Sequence, residues 1–120
     1  MKRLTVLLAT ACALGALTAS GAGAAVQQAT ATTTIKVQAG EFFFKLSKSS
    51  ITKPGTVAFV VKNVGHIAHD YKIAGKKTAL IQPGKSATLK VVFKKAGKFT
   101  YLCTVPGHAA NGMEGRFTVR

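Results

Sequence analysis

The stretch Gly97–Arg120 reads "GKFTYLCTVPGHAANGMEGRFTVR", and the fold can be worked out from it. In its first half, Phe99, Tyr101 and Cys103 fall on one side of an extended chain, opposite Lys98, Thr100 and Thr104. In its second half, Phe117 and Val119 oppose Arg116 and Arg120, and Met113 keeps the inward parity if the strand extends back that far. A period of two is the mark of a strand with one buried face. The stretch is therefore two strands joined by a loop, and that loop carries Cys103, His108 and Met113 in a C-x4-H-x4-M arrangement. Cys103 points inward at the end of a core strand.

The same alternation runs back through the chain. In "GTVAFVVKN", Val57, Phe59 and Val61 share a face away from Thr56, Ala58 and Lys62, and in "TLKVVFK" Leu89, Val91 and Phe93 oppose Lys90 and Lys94. Short alternating runs punctuated by Gly, Pro, Ser and Asn predict strands near 34–39, 42–47, 56–62, 69–74, 86–93, 98–104 and 115–120. About seven to eight strands of this kind make an all-β sandwich. The segment 76–83 reads as a loop, no sustained helical period occurs, and no internal repeat is visible.

Residues 1–25 read "MKRLTVLLATACALGALTASGAGAA". Lys2 and Arg3, an apolar run from Leu4 to Leu17 and a small-residue tail have the layout of a secretory signal peptide, with cleavage expected near residues 24–25. The apolar run is shorter than the roughly 18 residues that read as a membrane span, and no later segment approaches that length. Residues 26–33 read as a flexible lead-in and 34–120 as one small domain with a single core. The protein is thus expected in the periplasm or outside the cell. Of its two cysteines, Cys12 leaves with the signal, so Cys103 has no partner for an intramolecular disulfide. In an oxidising compartment a leftover cysteine points to intermolecular pairing, a reactive thiol or a metal ligand.

Losing Lys2 and Arg3 leaves 15 basic residues against Glu41, Asp70 and Glu114, a net charge of +12. Such a field favours acidic partners but says little about fold. The lysines are spread along the whole chain, as in a solvated coat, and few aromatics are interleaved with them. That pattern does not make a nucleic-acid interface.

Two more histidines lie upstream in "NVGHIAHDYKI". On strand parity, His69 shares an inward face with Tyr71 and Ile73, while Asp70 and Lys72 face water; His66 reads as a solvated turn residue. If the fold sets His69 beside the Cys103 loop, two imidazoles, a thiolate and a weak thioether come together. That mixed set matches the trigonal His2Cys site with a long axial methionine used by copper in electron transfer. Zinc can take such donors too, but structural zinc sites favour four strong Cys/His ligands.

Over roughly 34–120, with "EFFFKLS", "NVGHIAHDYKI" and "YLCTVPGHAANGMEGRFTV" as the matching elements, the chain resembles a cupredoxin, a small type 1 (blue) copper protein. The loop spacing is closer to the auracyanin and rusticyanin branch than to plant plastocyanins. The resemblance implies a Greek-key β-sandwich with one copper at one end. It makes His69 and His108 the imidazole ligands, Cys103 the thiolate and Met113 the axial thioether. It also implies a monomeric electron shuttle, not an enzyme, whose His108 ring edge is the electron port. Pro106, Gly107, Ala109, Ala110, Ile67 and Ala68 would then form a docking patch for redox partners with acidic surfaces. Two positions depart from the family pattern. Asp70 stands where many members have an asparagine that braces the cysteine loop, and an ionised carboxylate accepts hydrogen bonds but donates none. Leu102 stands where plastocyanins expose a tyrosine. The competing functions are copper storage or delivery, a thiol enzyme, and a cationic binder of nucleic acid or membrane. A thiol enzyme needs an oriented base and an oxyanion site, and the sequence specifies neither.

Overall fold

A computed structural model describes residues 31–120. The expected signal peptide over 1–25 and most of the lead-in over 26–33 lie outside the described residues.

Among the described residues, nine strands form two sheets: β1 (Thr33–Gly40), β2 (Phe43–Leu46), β3 (Ser50–Ile51), β4 (Gly55–Asn63), β5 (Lys72–Ile73), β6 (Lys76–Lys77), β7 (Ser86–Phe93), β8 (Gly97–Leu102) and β9 (Glu114–Val119). The first sheet has the order β2-β1-β4-β7 and the second β3-β9-β8-β5-β6. Five of the eight connections between these strands cross from one sheet to the other, those after β2, β3, β4, β6 and β7. β1 and β4 run parallel, which sets Ile35 beside Phe59 and Val37 beside Val61. β7 runs antiparallel to β4 and sets Val91 beside Val57. β8 and β9 are antiparallel, with Phe99 opposite Phe117. Val57, Phe59, Val61, Val91, Phe99 and Phe117 lie on the inward face that alternation assigns, and Ile35, Val37, Val57, Phe59, Val61, Val91 and Phe117 are all buried. Phe59 joins the two sheets, its ring 5.3 Å from those of both Phe117 and Tyr71.

Four departures from the sequence reading carry physical reasons. The strand expected over 69–74 is only Lys72–Ile73, while His69 is tied to Ile81 by an isolated bridge. The backbone N–H of Tyr71 donates to the Thr78 hydroxyl at 3.1 Å instead of entering a ladder. Because 69–71 is not regular strand, parity fails there: Asp70, expected in water, is buried. The segment 76–83, read as a loop, contains β6, which pairs with β5 around Ala74-Gly75. Both turn residues have positive φ (50° and 75°), the handedness that a two-residue hairpin needs. Alanine is a rare choice there, and no Asn-Gly or Asp-Gly pair announces the turn. The two-residue β3 was not anticipated at all, and it runs parallel along β9. Finally, the strand expected over 98–104 ends at Leu102, so Cys103 is the first residue beyond it.

Candidate metal centre

Cys103, His108 and Met113 sit on the β8–β9 connection, which is laced by its own backbone. The Cys103 N–H donates to the Met113 carbonyl at 3.1 Å, and the His108 carbonyl accepts from the N–H groups of Asn111 and Met113, both at 3.1 Å. A single 3-10 turn, Ala109–Asn111, ends at Gly112 with φ 118°. The Asn111 amide also donates to the Gly107 carbonyl at 2.7 Å. The N–H groups of Cys103, His108, Asn111, Gly112 and Met113 all find carbonyl partners within the loop, so it holds its side chains in place with one 3-10 turn and no strand.

His69 reaches the loop from the other direction, carried by its bridge to Ile81. Among the described residues, His69, Cys103 and His108 form a buried group whose ligand atoms all lie within 4.8 Å of one another. His69 Nδ1 is 3.1 Å from His108 Nδ1, and Cys103 Sγ is 3.6 Å from that same nitrogen. Met113 is fully buried at the end of the loop, and His108 keeps 7% exposure. His66, by contrast, projects into solvent, as its place in the turn suggests. Burial pushes the Cys103 thiol above its usual range. Desolvation likewise pulls the His69 imidazole below its usual value, against the opposing pull of Glu41. The metal-free site therefore favours a neutral thiol and a neutral His69 ring, and a bound cation would displace the thiol proton.

Three polar residues outside the donor set organise it. Asp70 Oδ1 accepts the Thr104 N–H at 2.6 Å, and Oδ2 accepts the Thr104 hydroxyl. A residue next to His69 thereby fixes the residue next to Cys103, using only the acceptor capacity of a carboxylate. Asn63 is buried, and its amide donates to the carbonyls of Ile67 and Ile81 at 2.7 and 2.8 Å. Its Oδ1 accepts the Gly65 N–H at 2.9 Å, so one side chain shapes the whole turn ahead of His69. Glu41, on the β1–β2 turn, accepts the His66 and Ile67 N–H groups at 2.7 and 2.8 Å on Oε1, which also lies 3.3 Å from His69 Nε2. The next residue, Phe42, sets its ring edge against the His108 ring, centroids 5.0 Å apart. Asn63, Glu41 and Phe42 lie inside the elements "NVGHIAHDYKI" and "EFFFKLS", but no local pattern gives their roles, since they act on residues 2 to 66 positions away.

Around His108, Pro106, Gly107, Ala110 and Ile67 are exposed, while Ala68 and Ala109 are half-buried. Phe42 adds an aromatic ring at 38% exposure to this apolar margin.

A two-sheet sandwich with a buried His-Cys-His group at one end is a cupredoxin. The sequence model of copper-binding proteins of the plastocyanin/azurin family matches residues 18–120, and the chain belongs to that family. The copper-resistant cuproprotein CopI of Pseudomonas aeruginosa is 24% identical, over 82% of each chain. Auracyanin from Roseiflexus castenholzii, solved in its dithionite-reduced form, superposes with a TM-score of 0.64 at 23% identity, covering 75% of this chain and 98% of that one. Auracyanin A, a blue copper protein of Chloroflexus aurantiacus, gives 0.62 at 21%, covering 75% and 100%. Copper is the cofactor of this family, and the residues present suit it. Two imidazole nitrogens and a thiolate are donors of the right softness, and their burial excludes competing water.

Proposed function

We propose that the protein is an exported blue copper protein that carries single electrons between redox partners, with His69, Cys103, His108 and Met113 as the metal ligands. One observation carries the reading: three donor atoms of the right kinds meet within 4.8 Å in a buried pocket. When bound, copper supplies the one-electron Cu(I)/Cu(II) couple. The protein's part is to hold its donors still, since the backbone bonds of the Cys103–Met113 loop and the Asp70–Thr104 tie resist rearrangement. Four ligands drawn from the chain leave no place for a substrate, so the protein is read as a carrier and not an enzyme. His108, at 7%, is the most exposed of the three clustered donors, and its ring with the adjoining Phe42 edge is read as the route for electrons. The apolar margin of Pro106, Gly107, Ala110 and Ile67 suits brief docking, and the net positive charge favours partners with acidic surfaces. No specific nucleic acid and no self-association enters this reading. The N-terminal layout supports export with cleavage near residues 24–25, which N-terminal sequencing of the exported protein would check. No helix among the described residues is long and apolar enough to cross a membrane.

A second reading has one specific support: relatives bearing the name copper-resistant cuproprotein point to copper holding or delivery as the service performed. The two readings part on kinetics. A carrier releases copper slowly to a chelator and cycles reversibly, whereas a delivery protein gives its metal up.

The deciding experiment is titration of the metal-free protein with Cu(II), followed in the visible, beside Cys103→Ser. An intense thiolate-to-copper band saturating at one equivalent, bleached reversibly by reductant and missing from the variant, is the expected result. A pale complex, or no saturable binding, would remove Cys103 from the ligand set and the electron-carrier reading with it.

A further inference from the structure

The chain has only three acids against 17 bases, and all three stand beside proposed ligands. Asp70 follows His69, Glu114 follows Met113, and Glu41 touches His69 across 28 residues of chain. Glu41 is the informative one, because it meets the ring of a ligand and not a neighbouring backbone group alone.

Its Oε1 collects three contacts: the N–H groups of His66 and Ile67, and His69 Nε2 at 3.3 Å. The carboxylate lies against the bare face of Gly65, where a Cβ would collide with Oε2. Residue 65 therefore has to be glycine for the acid to take this position. The two peptide donors fix the carboxylate in space independently of the histidine. His69 is fully buried, so a proton on Nε2 needs an acceptor, and this oxygen is the one placed to serve. With the proton on Nε2, the Nδ1 lone pair is left facing Cys103 and His108. That is the orientation a metal ligand needs, and carboxylates in this position fix ligand tautomers and raise ligand basicity.

We propose that Glu41 is a positioning residue for the copper centre: its carboxylate takes the Nε2–H of His69, turns Nδ1 toward the metal position, and lowers the reduction potential by placing a negative charge behind that ligand. The proposal rests on the reading of His69 as a copper ligand. A negative charge favours the more highly charged oxidised ion, so its removal favours the reduced one.

The test compares the wild-type chain with Glu41→Gln and Glu41→Ala. The glutamine variant can keep Oε1 on the two peptide N–H groups and removes only the charge. The alanine variant removes the tether as well. In the metal-free wild type, 15N NMR of the histidine rings should show His69 with its proton on Nε2. In the copper form, Glu41→Gln should lose about 10- to 100-fold in Cu(II) affinity and show a higher potential by voltammetry. Each tenfold change in the Cu(II)/Cu(I) affinity ratio corresponds to about 59 mV. Glu41→Ala should add fast amide exchange at His66 and Ile67. A metal-free His69 protonated on Nδ1 overturns the proposal, and so does a blue Glu41→Gln with the wild-type potential and affinity. A wild-type chain with no blue band overturns it through the ligand reading, an outcome distinct from either of these.

Discussion

Cys103 has 1% exposure and a thiol held protonated by burial, so its reactivity is set by how often the site opens. Iodoacetamide should therefore label the folded, metal-free protein far more slowly than the denatured chain, as mass spectrometry would measure; equal rates would mean that the pocket is open. Asp70 illustrates a different residue-scale dependence. Asp70→Ala leaves the Thr104 N–H without its acceptor and should cost about 1–3 kcal/mol in denaturant unfolding. Asp70→Asn keeps Oδ1 for that N–H, and should fall well short of the alanine loss. Glu41 makes stability depend on acid. The backbone N–H of His66, followed by that of Ile67, outweighs desolvation and holds its carboxyl at about 2 instead of 4.5. A depressed carboxyl contributes stability that is complete above the unfolded value of 4.5. That contribution is lost as pH falls from there towards 2. Urea unfolding of the metal-free protein across that window should show the loss, and Glu41→Gln should reduce it.

At the scale of elements, the β8–β9 connection does the work. Its turns depend on glycine at one position above all. Gly112 has φ 118°, and a Cβ there would lie 3.0 Å from the Phe42 carbonyl oxygen. Gly112→Ala should cost about 1–3 kcal/mol in strain. It should also disturb the blue band, because the next residue is Met113; an unchanged spectrum and an unchanged melting curve would show that the loop is looser than its bonding suggests. The β5–β6 hairpin teaches the reverse lesson about sequence signals. Its turn uses Ala74 in a left-handed conformation, and its first strand is shortened by side-chain bonds at Asp70 and Tyr71. Alternation in "HDYKI" looks like a regular strand, yet only Lys72–Ile73 pairs as one.

For the molecule as a whole, the core and the charge are laid out separately. Phe59 spans both sheets, and Phe59→Ala should cost about 3–5 kcal/mol, large enough to threaten a domain of this size. Lys36, Lys45, Lys62 and Lys90 stand on the outward face of the first sheet, and Lys72, Lys98 and Arg116 on strands of the second, all exposed. Such a coat should speed encounter with an acidic partner at low salt. Stopped-flow rates should fall as ionic strength rises towards 0.1 M, where screening acts within about 10 Å. A salt-independent rate would leave the apolar margin near His108 as the sole docking determinant.

Alternation along single strands was enough to specify the two-sheet sandwich, the inward aspect of Phe59, Val91 and Phe117, and a loop bearing Cys103, His108 and Met113. These features are local: a period of two assigns faces, and five-residue spacings place three candidate donors on one connection. Only the tertiary structure decided that His69 joins that loop across 39 residues, that Asp70 turns inward to hold Thr104, and that Glu41 and Phe42 close on the two imidazoles. Such contacts depend on which strands pair and where each connection crosses the end of the sandwich. No periodicity within one segment encodes that, because the partners meet only after both sheets have formed.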